Sequence, residues 1–384
     1  MTIYLIAFFL IFLFVFMFDL KAQQKRKNFL ALWCLFIALV CGLGDMLGGY
    51  DRYIYGEIFD STADELTVGL PILKTTAIIY NPTEPGFAIW NILIAFLSSN
   101  RYIFLLLSTL VLYGMLYYHI IKYSKTPFLA FFILFCIFYF FTFTYLREVL
   151  AVGISWFSIP YAIKRKPIHF WLIILLAFSF HNSALLFGLT YLIAPMKLTR
   201  QRIIIIISLS LILGLTPIGS YIFQLFASNI NAEKADMVLA NSDTTNIFYI
   251  AEAIVFLIII LWRYKHIDKD ETSRCMLNIA LGFIFVLTFF ARFTDGGRMS
   301  WYFLIGVACT FAGMMSKKTK LTLDMLPIIL ICSMFYFRIL YSWGGIGILY
   351  PYKTFLTPGF AGEEWVYEQY EYDHEYNTNK FYRK

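Results

Sequence analysis

Residues 128–163 read FLAFFILFCIFYFFTFTYLREVLAVGISWFSIPYAI. Two apolar runs, 128–145 and 149–163, are parted only by Leu146, Arg147 and Glu148. Neither run has a polar stripe at helical spacing, and a helix that is apolar all round is either deeply buried or in lipid. A membrane span takes about 20 such residues. The basic triplet at 164–166 then closes the stretch as a cytoplasmic flank would.

The same alternation of apolar run and short basic cluster extends to both sides. Of the 384 residues, 60% are hydrophobic and only 14% are charged, against about 25% charged in a soluble domain. The 41 Phe and 27 Tyr suit lipid-facing helices with interfacial belts. Apolar runs near 2–19, 28–44, 102–121, 128–145, 148–163, 167–180, 183–195, 203–218, 246–262, 275–291, 299–315 and 323–341 predict an all-α polytopic transmembrane bundle of about 12–13 spans. A shorter run at 86–98 is read either as a span or as a re-entrant half-helix. One transmembrane catalytic domain is expected over 1–345, with an acidic, Tyr-rich tail over 346–384. The first run lacks the basic start and small-residue cleavage site of a signal peptide, so it is expected to stay as a helix.

The net charge of +7 is spread in small clusters rather than one stripe, which argues against nucleic acid and for topology signals. Lys21, Lys25, Arg26 and Lys27 mark one cytoplasmic loop, and 164–166 another. Lys197, Arg200 and Arg202, then Arg263, Lys265 and Lys269, then Lys317, Lys318 and Lys320 continue the series. The loops near 181, 218–245 and 291–298, and the chain after about 342, then fall outside. The first half closes on the same scheme if 86–98 is re-entrant, which makes 45–85 a long outside loop. All six cysteines lie in or beside apolar runs with no CxxC spacing, and are expected to pack rather than ligate.

Candidate chemistry concentrates in the outside segments. Arg147 stands between two apolar runs, where a charge is costly unless it meets a polar cavity or a partner. It is therefore a functional cation or one half of an ion pair with Glu148 or another carboxylate. His181, in SFHNSALLFG, is expected to open the helix that follows it, either as an acid, a base or a phosphate donor, or as a plain cap. FFARFTDGGRMSWYF sets Arg292, Asp295 and Arg298 on a glycine-permitted bend. Two guanidinium groups there can fork onto a diphosphate; the alternative is a capping turn with an Arg–Asp pair. Asp45, Asp51, Tyr53, Glu57 and Glu84 supply carboxylates and a phenol in the long outside loop. The glycines of CGLGDMLGGYD follow an apolar helix and lack the ending of a phosphate loop, and neither HExxH nor GxSxG occurs.

Asp51 with Tyr53, Glu84-Pro85, the RxxLA of Arg147, Leu150 and Ala151, the basic turn 164–166, and the HxSA of His181, Ser183 and Ala184 follow one another in an order that resembles the EpsG family. That family is similar in layout to the Wzy polymerases of bacterial surface polysaccharides. One departure is Glu148, where the family's usual residue after the Arg is Gln. The resemblance implies a glycosyltransferase that polymerises undecaprenyl-diphosphate-linked repeat units at the outer face of the cytoplasmic membrane; because a diphosphate is already an activated leaving group and the sequence shows no metal-ligand cluster, it is expected to need no metal and no cofactor. On that reading Arg147 holds the diphosphate, joined by Arg292 and Arg298 on the strength of their guanidinium chemistry rather than the resemblance; Glu84, Asp51, Glu148 or His181 is the base, and Tyr53 and Asp295 meet the glycan. The implied partners are lipid-linked glycan donor and acceptor, membrane lipid, a flippase and a chain-length regulator, with no nucleic acid. A transporter of lipid-linked glycan or a membrane O-acyltransferase would share much of this pattern.

Overall fold

The structure is a computed structural model that describes residues 1–19, 26–45, 49–218, 221–222, 224, 245–293, 296–317, 320–321, 325–345, 348–357 and 374–384. It is an all-α polytopic bundle, with a ribbon of two residues per strand, Ser316–Lys317 and Lys320–Leu321, as its sheet among the described residues. Six helical runs are long and apolar enough to cross a membrane: Thr2–Asp19, Arg101–Tyr123, Leu146–Ile163, Ile247–His266, Glu271–Phe289 and Leu326–Gly344. Pro85–Ala95, Pro127–Phe143, Pro167–Phe180 and Asn182–Ile193 are apolar but shorter. Proline starts three of these four, since its ring suits the first helical turn and blocks an earlier one. Outward residues such as Leu32, Leu172, Ile212, Leu330 and Met334 are exposed, as lipid-facing side chains would be.

The chain divides into two compact units. The first comprises Met1–Ile154, Leu175–Asn182 and Lys318–Lys384. Its centre is the contact of Arg26–Gly42 with Arg101–Tyr123, where a Cβ on Gly42 would come 2.3 Å from Thr109 Oγ1. The outside segment expected to be a loop over 45–85 instead contains the 18-residue helix Tyr50–Thr67 and the short helix Thr76–Tyr80. Its polar sequence hid it from a search for apolar runs, but nothing within Tyr50–Thr67 breaks a helix, and Gly49 makes the turn before it at φ +85°. Phe59 stacks on Phe104 at 4.7 Å, tying this helix to the Arg101–Tyr123 span. Pro85–Ala95 has 11 residues, a rise of about 16 Å against a hydrocarbon core of about 30 Å.

The second unit comprises Ser155–Ile174 and Ser183–Lys317. Glu271–Phe289 is its axis, packed by Arg200–Gly214, Ile247–Arg263 and Leu304–Met314. Glycines let backbones meet there: a Cβ on Gly306 would lie 2.4 Å from Ala280 N, and one on Gly214 1.9 Å from Thr288 O. Close approach through small residues is how helices associate in lipid, where no hydrophobic drive separates helix from tail. Asn278 donates from its amide to the carbonyls of Ile193 and Met196 at 2.8 and 2.9 Å, closing the end of Leu189–Ile193.

Candidate active site

Arg147 occupies the first turn of Leu146–Ser155, the end of a helix where the aligned peptide dipoles disfavour a cation. A carboxylate compensates. Arg147 Nη1 lies 2.7 Å from Glu84 Oε2, and Glu84 is 5% exposed. The same nitrogen donates to Asn81 Oδ1 at 3.1 Å, while Nε reaches the Tyr55 hydroxyl at 3.4 Å. The guanidinium also stands 5.4 Å from the Tyr55 ring centroid and 6.0 Å from that of Phe87, close enough for cation–π attraction. Asp51, one helical turn before Tyr55, adds its charge to the field at Arg147.

Glu84 is held where Arg147 meets it. Pro85 begins the next helix, so Glu84 sits at the positive helix end, and its carbonyl accepts from Phe87 and Ala88. Asn81 donates to Ala77 O at 2.8 Å, which turns its amide oxygen toward Arg147. The second carboxylate oxygen of Glu84 accepts from Asn182 N at 3.2 Å and lies 4.0 Å from His181 Nε2. Asn182 in turn donates from Nδ2 to Thr83 Oγ1 at 3.0 Å. Gly86 makes this approach feasible, since a Cβ there would come 2.2 Å from Ser179 Oγ.

His181 does not open a helix. Its backbone N–H continues Pro167–Phe180 by donating to Ala177 O at 3.0 Å, and a 3-10 run, Asn182–Gly188, follows. The carboxylate that pairs with Arg147 is Glu84; Glu148 is buried at 2% and, as the next residue on a helix, projects about 100° away.

Tyr53 is 1% exposed, within the core. Arg292 and Arg298 belong to the second unit and are each partly buried, and Asp295 lies outside the described residues. Ser183 of the HxSA segment also belongs to the second unit, where its hydroxyl is 2.9 Å from that of Tyr302. Tyr55, Asn81 and Asn182 were not anticipated. The signal for Tyr55 was its i, i+4 spacing from Asp51, visible only once a helix is recognised there; the two asparagines had only their nearness to Glu84 and His181.

Arg52, between two candidate residues, is also unanticipated. It is 1% exposed and forks onto backbone carbonyls, with Nη2 to Cys41 O at 3.1 Å and Gly44 O at 2.9 Å, and Nη1 to Phe143 O at 3.1 Å. It thereby joins the end of Arg26–Gly42, the start of Tyr50–Thr67 and the turn that leads into Arg147.

Spanning helices of this number, with an ionic cluster at the start of one of them, define a multi-pass membrane protein that keeps charge at the edge of an apolar bundle. The chain belongs to the EpsG family, whose model matches residues 29–354. It is thus a polysaccharide polymerase-like membrane protein, of the kind that serves polysaccharide biosynthesis. No curated protein and no solved structure matches it.

Proposed function

We propose that this protein lengthens a surface polysaccharide by moving a growing glycan from undecaprenyl diphosphate onto the next lipid-linked repeat unit, at the outer face of the cytoplasmic membrane. The observation that carries the reading is the Arg147–Glu84–His181 cluster, a cation, a carboxylate and an imidazole gathered at the end of an apolar span in an EpsG chain.

In the proposed step the bond from the anomeric carbon to the carrier's diphosphate oxygen breaks, and a hydroxyl of the acceptor sugar forms the new bond to that carbon. The diphosphate leaves with the bonding electron pair, and Arg147 neutralises the charge it gains. The hydroxyl's proton passes to His181. Glu84, buried and already accepting from Arg147 and Asn182, suits holding the imidazole and guanidinium in place better than taking the proton itself. Asp51 adds negative potential, and Tyr55 flanks Arg147 with a phenol that can meet a sugar. The amide oxygen of Asn182 is buried with no described donor on it, which fits an acceptor hydroxyl.

The test is purified protein in liposomes with lipid-linked repeat units as both donor and acceptor. Longer glycan and released carrier diphosphate are expected from the unmodified chain, and neither from His181→Ala or Arg147→Lys at equal protein. Movement of the lipid-linked unit between leaflets without elongation would replace the polymerase reading with that of a transporter. Elongation that persists in Arg147→Ala would remove Arg147 from the mechanism.

A further inference from the structure

The helix Tyr50–Thr67 carries Asp51 and Tyr55 to the site, yet it is too polar for lipid to hold it. Arg52 fastens its first turn. Glu65 is held by Thr76, whereas Asp60 and Asp64 are met by residues 374–384, which lie beyond the stretch matched by the family model.

The contacts are ionic and buried. Lys380 Nζ lies 3.2 Å from Asp45 Oδ1, with the two side chains 4% and 0% exposed, and Asp45 also accepts from the Tyr102 hydroxyl at 2.8 Å. Burial pushes the Asp45 carboxyl above the usual carboxylate range, and Lys380 is the foremost group drawing it back. Arg383 donates to both oxygens of Asp64 at 3.0 and 2.9 Å. Asp60, 5% exposed, pairs with Arg101 and lies 3.8 Å from Arg383. The backbone of the segment is tied as well: the Asn100 amide donates to Lys380 O at 2.7 Å, and Ser99 N donates to Lys384 O at 2.9 Å.

A lysine is almost never fully buried unless paired. Here a basic terminal segment answers three aspartates that bracket one helix: Asp45 ahead of it, and Asp60 and Asp64 on its second half. We propose that residues 374–384 form a clasp that fixes the Tyr50–Thr67 helix, and with it Asp51 and Tyr55, against Arg147, with Lys380 as the positioning residue. The clasp acts through the helix and touches no reacting atom. Only its consequence for turnover rests on the polymerase reading; its effect on the helix does not.

Three measurements on the full chain in membranes decide it. First, Ser99→Cys with Lys384→Cys should form a disulfide under mild oxidant in most of the protein; no cross-link in the otherwise unmodified chain overturns the clasp. Second, spin labels at Glu57→Cys and Leu97→Cys, both on exposed positions of the first unit, should give one narrow distance that broadens in Lys380→Ala. An unchanged distribution overturns positioning, whatever the enzyme does. Third, Lys380→Ala should lower elongation turnover at least tenfold at equal membrane abundance, and the 99–384 disulfide should restore it until reductant is added. Restoration by Asp45→Asn with Lys380→Met, which removes both buried charges together, guards against mere misfolding. Turnover unchanged in Lys380→Ala overturns the functional half. If the unmodified chain elongates nothing, the polymerase reading falls, and the first two measurements still judge the clasp.

Discussion

Arg147 and Glu84 hold one another in an environment that would reject either alone. With Glu84 5% and Arg147 23% exposed, removing one partner leaves a partly buried charge uncompensated, at a cost of about 3–5 kcal/mol in such pairs. Arg147→Ala is therefore expected to lower the thermal stability of the detergent-extracted protein as well as abolish elongation. Arg147→Met with Glu84→Gln removes both charges, so stability should return while elongation stays lost; a double-mutant cycle on melting temperature and on polymer yield separates the two roles. Return of polymer in the double variant would mean that the pair is architectural. Gly86 offers a second residue-level test. An alanine there must push Ser179 aside, and with it the chain that carries His181 and Asn182. Since a displacement of about 1 Å at reacting groups can cost roughly 100-fold, Gly86→Ala should cut turnover by about that factor with little change in abundance.

At the scale of elements, the apolar runs were legible because lipid demands one composition all round a helix, and 167–180, 246–262 and 275–291 lie close to the observed helices. Tyr50–Thr67 was not legible by that signal, because its buried Tyr53, Phe59 and Ala63 are interspersed with charged residues and it is held by long-range ion pairs as well as by apolar contacts. Arg147 and His181 could be singled out as polar groups beside apolar runs, and Glu84 through the resemblance to the EpsG family, whereas Tyr55 and Arg52 could not, their importance arising only from what the fold brings near them. In the second unit the packing rests on glycine. The Cβ of Gly306→Ala would meet the backbone of Ile279 and Ala280, which cannot yield as a flexible side chain can. Overpacking of this kind costs about 1–3 kcal/mol, so Gly306→Ala should lower the melting temperature, whereas Gly313→Ala, with open space at its Cβ, should leave it unchanged or raise it. Equal melting of the two variants would show that the backbone contact at Gly306 is not made in the membrane.

For the whole molecule, the decisive property is which face carries the site. The run Leu146–Ile163 has 18 residues, a rise of about 27 Å that nearly equals the hydrocarbon core. Arg147 begins that run and the basic triplet at 164–166 follows it; the proposed function expects Arg147 on the outer side and, by the positive-inside rule, the triplet on the cytoplasmic side. Residues 374–384 are expected on the same face as Glu84, because Lys380 and Arg383 bind residues of the segment that leads to it. Single cysteines at Pro82, Lys166 and Asn379, all exposed positions, convert this into an experiment. A membrane-impermeant maleimide added to intact cells stripped of any outer barrier should label positions 82 and 379 and spare 166, which should react only after permeabilisation. Labelling of 82 and 379 from opposite sides would break the first unit as described. Labelling of both from the cytoplasm would keep the fold and move the chemistry inside, where an extracytoplasmic polymerase has no place.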